Sequence, residues 1–277
     1  AMRALCSRST SGIAGIDHDL IVRPFSQKGV FTSLRQFTIN ALNQHSGMEA
    51  DERFGARWTG TDDFDGDGVA HEISVGDVTA LVAFQATLPM PVQVLPADPA
   101  RHDAAQRGET LFAGIGCGTC HVPALPLDSA LFADPGPYDA AGTLNGAGVA
   151  RPLVIDLARL PWAAGLARDS QGRLLVPVYG DLKRHRIADE AQPFYANELL
   201  SQRFVGRDEF LAARLWGVGS TAPYGHRGDV TTLNQAILYH GGEATAVRRA
   251  YEALPEADRR AIIEFLKSLR ILPAVQG

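Results

Sequence analysis

The sequence GIGCGTCHVP at residues 114–123 places two cysteines three positions apart, with a histidine directly after the second. The spacing of Cys117, Cys120 and His121 is that of a covalent c-type haem attachment site, in which both sulfurs bond to the haem and the histidine becomes the proximal iron ligand. A zinc site would need a second ligand pair, and a thioredoxin-like redox pair would need a βαβ pattern; neither is found. We therefore predict one covalent haem c. The third cysteine, Cys6, is then left without a partner.

The residues on either side of this motif predict a helix followed by irregular chain. Residues 98–117 begin with polar residues and then carry the apolar side chains of Leu111, Phe112 and Ile115 at helical spacing. Prolines at positions 123 and 126 stop any helix and favour extended chain. A helix that delivers the motif, followed by chain that wraps the haem, is the construction of small cytochrome c domains.

The composition is that of an ordinary globular protein. The 277 residues are 45% hydrophobic and 21% charged, with a net charge of −5, so nothing suggests nucleic-acid binding. No apolar run approaches the ~18 residues needed for a membrane span, and no secretory segment is visible at the N-terminus. Because covalent haem attachment is extracytoplasmic chemistry in bacteria, we expect a periplasmic protein.

Two distant stretches repeat one another without a gap. Residues 24–36 read PFSQKGVFTSLRQ and residues 223–235 read PYGHRGDVTTLNQ. In each copy a Ser or Thr is placed to cap a helix whose apolar face begins at the following leucine. The first helix leads to His45 and the second to His240, and a glycine follows shortly after each. This pattern predicts an internal duplication.

A second pair of segments extends the repeat and sets the domain boundaries. The pattern D-x-x-A-[LI]-x-x-F-x-x-x-L fits residues 77–88 and 258–269, with the apolar spacing of a helix. Only the second copy has the Cys-x-x-Cys-His motif upstream; equal spacing would put the first copy's motif about 80 residues before residue 1. We expect a complete haem c domain in 98–277, preceded in 1–97 by the C-terminal part of a first cytochrome c-like domain.

The iron held by His121 needs a sixth ligand or an open site. His240 is the first choice because it ends the predicted helix of the second copy, before a flexible Gly-Gly pair. His226 is the alternative ligand, with a hydrogen-bonding turn residue as the other interpretation of it, and Tyr239 is a weaker candidate. Ligation by two histidines would give a low-spin iron of lower potential than a His/Met pair. All three methionines precede the haem motif: Met2, Met48 and Met90.

The segment DDFDGDGVAHE at residues 62–72 alternates carboxylates before a glycine. Asp63, Asp65, Asp67 and Glu72 could wrap one hard cation, as in a shortened calcium loop. A full EF-hand loop would need glutamate at position 74, which is Ser74. A solvated acidic turn is the other interpretation, and both stay open.

Taken together, these segments resemble the bacterial di-haem cytochrome c peroxidase superfamily, and more closely its di-haem oxidoreductase (thiol oxidoreductase-like) branch. The resemblance spans nearly the whole chain and is carried by KGVFTSLRQFTINALNQHSGMEADERFG, DFDGDGVAHEISVGDVTALVAFQATLP, RGETLFAGIGCGTCHVP, YGDLKRH, RLWGVGSTAPYGHRGDVTTLNQAILYHGGEA and the final helix. It implies an all-α fold of cytochrome c-like domains, with long irregular loops around covalent haem and often with calcium near the domain interface. Members reduce peroxide, oxidise protein side chains or act on unknown substrates.

The resemblance also assigns residues. Cys117, Cys120 and His121 match the C-terminal haem motif, and His240 matches the position of its distal ligand. His45 falls in the corresponding region of the first domain. The chain departs from the family in lacking the first domain's Cys-x-x-Cys-His motif, so it should lack the peroxidatic haem of that domain.

Three functional hypotheses follow. The first is a periplasmic haem c redox protein that relays electrons to a partner protein or to a missing N-terminal haem domain. The second is a peroxidase-like enzyme with an open or displaceable haem site, and the third is a scaffold stapled by haem. The sequence leaves a homodimer open. Cations near the haem could pair with its propionates, with a solvated surface as the alternative: Arg227, Lys183, Arg184 and Arg186.

Overall fold

The computed structural model describes residues 14–271 except 137, 138, 140–143, 145, 147 and 148, so that Cys6 lies outside the described residues. Helices occupy both ends of the described chain, and short strands occupy much of its middle. The α-helices are α1 (Leu34–Ser46), α2 (Asp51–Phe54), α3 (Ala56–Thr59), α4 (Val75–Thr87), α5 (Pro99–Gly114), α6 (Leu233–Leu238), α7 (Thr245–Ala253) and α8 (Glu256–Ser268). The strands are β1 (Val92–Gln93), β2 (Leu125–Pro126), β3 (Leu131–Asp134), β4 (Leu153–Asp156), β5 (Leu175–Val176), β6 (Arg184–Arg186), β7 (Glu209–Leu211) and β8 (Leu269–Arg270).

The expectation of an all-α fold is wrong. In the described residues the strands form two-stranded antiparallel sheets that pair β1 with β8, β2 with β5, β3 with β4 and β6 with β7. Most of these strands lie between α5 and α6, where prolines and glycines stop helices and short extended segments from distant parts of the sequence pair instead. The loops around the predicted haem motif are therefore partly strand-paired.

The two copies of the repeat adopt the same local structure. An antiparallel bridge joins Phe25 to Phe31 in the first copy and Tyr224 to Val230 at the same positions of the second. The side chain of Ser33 caps α1 by accepting from the backbone N–H of Gln36, and Thr232 caps α6 in the same way. The sequence repeat is thus also a structural repeat.

The helix α8 packs against α5 and forms the main core of the second copy. Gly108 of α5 makes this contact close, because a Cβ atom there would lie 2.0 Å from the carbonyl oxygen of Ala261. One turn further on, the rings of Phe112 and Phe265 lie 5.3 Å apart and Tyr179 packs against both. This cluster lies directly beneath the Cys-x-x-Cys-His segment.

The first copy has a smaller core between α1 and α4, built on Ile39, Val78 and Val82. Beside it lies a buried ion network. The guanidinium of Arg35, 1% exposed, pairs with the carboxylates of Glu52 and Asp134, each 3% exposed. No helix in the described part of the chain is long and apolar enough to cross a membrane.

Candidate haem site

The helix α5 carries the two cysteines to the edge of the core. Its N-terminus is capped by Asp98, whose side chain accepts from the backbone N–H of Arg101. After α5 ends, Gly116 adopts φ = 98°, and this left-handed turn leads into a single 3-10 turn at Cys117–Thr119. Cys117 packs against the core cluster, and loss of hydration there raises the pKa of its thiol to about 12.

His121 follows this turn with its ring fixed by the backbone. Its Nδ1 lies 3.2 Å from the carbonyl oxygen of Tyr179 and 3.1 Å from that of Ala213. Because carbonyl oxygens only accept hydrogen bonds, Nδ1 carries the proton and Nε2 carries the lone pair. Loss of hydration, helped by the nearby His240, lowers the pKa of His121 to about 4, so the ring is neutral at physiological pH.

His240 has the same arrangement at the end of the second copy's helix. It lies two residues beyond α6, and its Nδ1 is 2.7 Å from the carbonyl oxygen of Ala236. This contact again places the proton on Nδ1 and leaves the lone pair on Nε2. Loss of hydration lowers the pKa of His240 as well. The ring meets Tyr195 edge-on at 5.6 Å.

These residues fit a covalent haem. Metal-bound histidines are neutral and donate their other ring N–H to a carbonyl or carboxylate, which is the state of both His121 and His240. His240 also contributes to lowering the pKa of His121. Cys117 and Cys120 are both free thiols. Haem attachment and iron ligation by these four residues stay predictions.

His226, the alternative ligand, has a different environment. Its Nε2 lies 2.6 Å from Oδ1 of Asn197, and its ring stacks on Phe210 at 4.4 Å. The amide nitrogen of Asn197 donates to Asp229, which fixes Oδ1 as the acceptor and makes Nε2 of His226 a donor. The Nε2 atom, which carries the lone pair in His121 and His240, therefore donates a hydrogen bond to Asn197 in His226.

The other residues suggested for the haem edge have protein partners. Arg227 donates to the backbone carbonyl of Asn197, 2.8 Å away. Arg184 pairs with Asp17, and Arg186 pairs with Asp208 at 2.9 Å. Tyr239, the weaker candidate for the sixth iron ligand, stacks on Phe194 with ring centroids 3.9 Å apart. Each of these side chains therefore already has an interaction partner within the protein. For the arginines, a role in binding haem propionates stays a prediction.

The sequence reasoning missed His185, which contacts the cysteine motif. Its Nδ1 lies 3.7 Å from the sulfur of Cys120 and 2.8 Å from a carboxylate oxygen of Glu243, while its Nε2 lies 3.0 Å from Asp181. The sulfur of Cys120 first, and then the two carboxylates, raise the pKa of His185 to about 10. A thioether sulfur carries no charge, so with haem attached only the two carboxylates would still raise the pKa of this imidazole.

The acidic loop brings three of its four predicted ligands together. Asp63, Asp65 and Asp67 each offer an oxygen within 4.8 Å of the others. Glu72 is not part of this cluster, and its carboxylate instead accepts a hydrogen bond from the backbone N–H of Glu49. The oxygens of the three aspartates also accept from backbone N–H groups of the loop itself. Calcium binding stays a prediction, now without Glu72 among the three clustered side chains.

His45, the first copy's counterpart of His240, is exposed in the last turn of α1. Among the described residues it has no sulfur pair beside it, so nothing in its surroundings repeats the arrangement around His121. The duplication therefore extends to the backbone of the two copies but not to this candidate site.

Comparison with models of known protein families gives a match over part of the chain. No curated protein matches the chain. Residues 187–269, which include His226 and His240, match the family described as "Di-haem oxidoreductase, putative peroxidase". The matched segment runs from the strand-paired loops through α6 and α7 to the end of α8. The match covers 83 of the 277 residues and supports the resemblance of the chain to the di-haem oxidoreductase family.

Proposed function

We propose that this protein is a c-type haem redox protein of the di-haem oxidoreductase family. Cys117 and Cys120 hold one haem covalently, and His121 and His240 ligate its iron. A bound haem would supply one-electron redox chemistry. The chain's own part is to hold and orient the group, to keep both imidazoles neutral and to exclude water from the buried side. Electrons pass to a redox partner protein outside the cytoplasm.

The observation that carries this proposal is the matched state of the two histidines. Each is neutral, each gives its Nδ1 proton to a backbone carbonyl, and each keeps the Nε2 lone pair. Two histidines prepared in this way suit a six-coordinate iron, which moves electrons without binding a substrate. A site with only one prepared histidine would suit an open, peroxide-binding iron instead.

The test is an absorption spectrum of the haem-loaded protein in its ferric and dithionite-reduced forms. We expect a low-spin spectrum for the wild type and a high-spin spectrum with new peroxide reactivity for His240→Ala. His226→Ala and His45→Ala are matched controls, and both should keep the low-spin spectrum. If the wild type has a high-spin spectrum and His240→Ala has the same spectrum, ligation by two histidines is excluded.

That second outcome would favour the other candidate function, a peroxidase-like enzyme. The description of the matching family, which names a peroxidase, is the observation in its favour. In that case peroxide turnover by the wild type should be measurable directly, with the haem-free Cys117→Ser/Cys120→Ser protein as the blank.

For the acidic loop we propose one calcium ion held by Asp63, Asp65 and Asp67, with backbone oxygens and water completing its shell. Calorimetric titration of the calcium-stripped protein should show one site, and Asp65→Asn should weaken it by about tenfold or more. Glu72→Gln is the matched control and should have a smaller effect. Equal affinities for the wild type and Asp65→Asn would exclude this site.

A further inference from the structure

The helices α4 and α8 have the same length and the same apolar pattern, but their surroundings differ. In α8 the pattern positions are buried, with exposures of 2%, 0%, 0% and 5% for Ala261, Ile262, Phe265 and Leu269. The equivalent positions of α4 are Ala80, Leu81, Phe84 and Leu88, and all four are exposed. The exposed fractions of the three large residues are 38% for Leu81, 62% for Phe84 and 47% for Leu88. We call these four residues of α4 the repeat face.

What covers this face in α8 is α5. The two helices cross at Gly108, which has no side chain and lies against the backbone of Ala261. The residue of α4 at that point is Ala80, also a small residue that permits a close crossing. Phe112 of α5 then packs on Phe265, whose counterpart is Phe84. Each side chain that receives α5 therefore has a counterpart of similar size on α4.

The charges at the crossing are also repeated. Arg107, directly before Gly108, forms an ion pair with Asp258 in the first turn of α8. The counterpart of Asp258 is Asp77, which is exposed in the first turn of α4. A helix that carries a basic residue followed by glycine could therefore repeat both the ion pair and the close crossing on α4.

Within the described ranges, no helix lies over the repeat face. The neighbours of α4 are α1 and β3, and they cover the other side of the helix, where Val78 and Val82 are buried. A contiguous row of exposed apolar side chains is uncommon on a monomer and marks an interaction site. Because α4 keeps the residue pattern with which α8 contacts α5, a helix similar to α5 is the kind of partner that fits this row.

We propose that the repeat face of α4 is the docking site for an amphipathic helix of the α5 type. Such a helix carries a basic residue and then glycine at the crossing, with an aromatic residue one turn later. This proposal rests on the comparison of α4 with α8 and does not depend on haem binding.

The experiment uses a fluorescent synthetic peptide with the sequence of residues 98–116 of this chain, which contains α5 and no cysteine. Fluorescence anisotropy against the full, haem-loaded protein should show saturable binding. Phe84→Asp should weaken the binding by about tenfold or more, because a central aromatic contact is lost. A peptide carrying Gly108→Leu should bind equally poorly, since a side chain at the crossing prevents close approach.

Phe204→Asp is the matched control, because Phe204 is fully exposed at another site; it should leave the affinity unchanged. Leu81→Gln provides a second, milder variant of the repeat face, and circular dichroism verifies that each variant is folded. Absence of binding, or binding that Phe84→Asp does not affect, would overturn the proposal.

Three further results would identify a different occupant and would also overturn it. Sedimentation could show a dimer that Phe84→Asp dissociates, which would make a second copy of the chain the occupant. Removal of residues 1–13 could be required before the peptide binds, which would assign the face to that segment. Lipid vesicles of phosphatidylcholine and phosphatidylglycerol could bind the wild type but not Phe84→Asp, which would indicate a membrane surface.

Discussion

In the first copy of the repeat, α4 is packed through Val78 and Val82 and exposes Phe84; in the second copy, α8 is packed around Phe265, the counterpart of Phe84. The pattern shared by the two helices therefore matches the packing of only one of them. An apolar pattern predicts a helix and its face, but whether that face is buried depends on a neighbour from elsewhere in the sequence. Here α5 is that neighbour, and it serves α8.

The two histidines of the repeat, His45 and His240, show the same dependence on a neighbouring segment at the candidate site. His240 is half-buried and has a carbonyl for its Nδ1 proton, whereas His45 is exposed at the end of α1. A histidine at the end of the repeated helix becomes a ligand candidate only where α5 brings a Cys-x-x-Cys-His motif toward it. The comparison of the copies thus separates what belongs to the repeat from what belongs to the haem site.

The largest difference between the two copies should appear when the thiols of the second copy are removed. We expect Cys117→Ser/Cys120→Ser to lose covalent haem completely, because the first copy offers no substitute pair. Intact-mass spectrometry and a haem assay after acid extraction measure the loss. Cys6→Ser is the matched control and should keep one haem per chain. Covalent haem on the double variant would mean that the attachment site has been misassigned.

The next largest effect compares the paired aromatic residues. Phe265→Ala should lower the free energy of unfolding by about 3–5 kcal/mol, because it opens a cavity in a packed core. Phe84→Ala should change it by less than about 0.5 kcal/mol, because the ring is 62% exposed. Urea denaturation followed by circular dichroism measures both values. Similar losses in the two variants would mean that the repeat face is already covered within the chain.

A third comparison sets the buried charge of the first copy against its neutral counterpart. Arg35→Leu leaves the carboxylates of Glu52 and Asp134 buried without their cation, which should cost about 3–5 kcal/mol. Its counterpart is Asn234, which accepts from the hydroxyl of Tyr251 at 2.8 Å, and Asn234→Leu should cost about 1–3 kcal/mol.

The triple variant Arg35→Leu/Glu52→Gln/Asp134→Asn shows whether unpaired charge is the cause. It should recover part of the stability lost in Arg35→Leu, because no ion then remains buried without its partner. A further loss in the triple variant would attribute the cost to packing around the guanidinium instead.

The sequence patterns that repeat or that have helical spacing were the ones that could be predicted. The helix over 98–117 is confirmed as α5, and the repeated segments are confirmed within a few residues as α4 and α8. The strands could not be predicted, since runs of two to four residues carry no period of their own. The all-α expectation failed for that reason.

Contacts between distant residues explain what was missed at the candidate site. His185 reaches Cys120 across 65 positions of sequence, and the segment between them has no regular pattern that would predict the approach. Arg35 looks like a surface residue in an amphipathic helix, and only the fold shows that Glu52 and Asp134 enclose it. His240 was a candidate because the repeat placed it at the end of a helix, and its ligation of iron stays a prediction.

The smallest expected effect concerns how the two terminal helices begin. Ser74 caps α4 in a reciprocal arrangement with Asp77, whereas the residue before α8 is Pro255, which offers no side-chain cap. Because α4 has fewer packed neighbours, it should depend more on its cap, and Ser74→Ala should cost about 1 kcal/mol in urea denaturation at neutral pH.

The pH dependence of this loss identifies the partner of Ser74. Hydrogen bonds from the side chain and backbone of Ser74 hold the pKa of Asp77 below its usual value. A carboxyl with a lowered folded-state pKa stabilises the fold above its unfolded pKa and loses that contribution as the pH falls through the folded value. The difference between Ser74→Ala and the wild type should therefore be smaller at about pH 3 than at neutral pH. Asp77→Asn should remove this dependence, and a loss that is the same at both pH values would mean that the Asp77 carboxylate does not contribute to the cap.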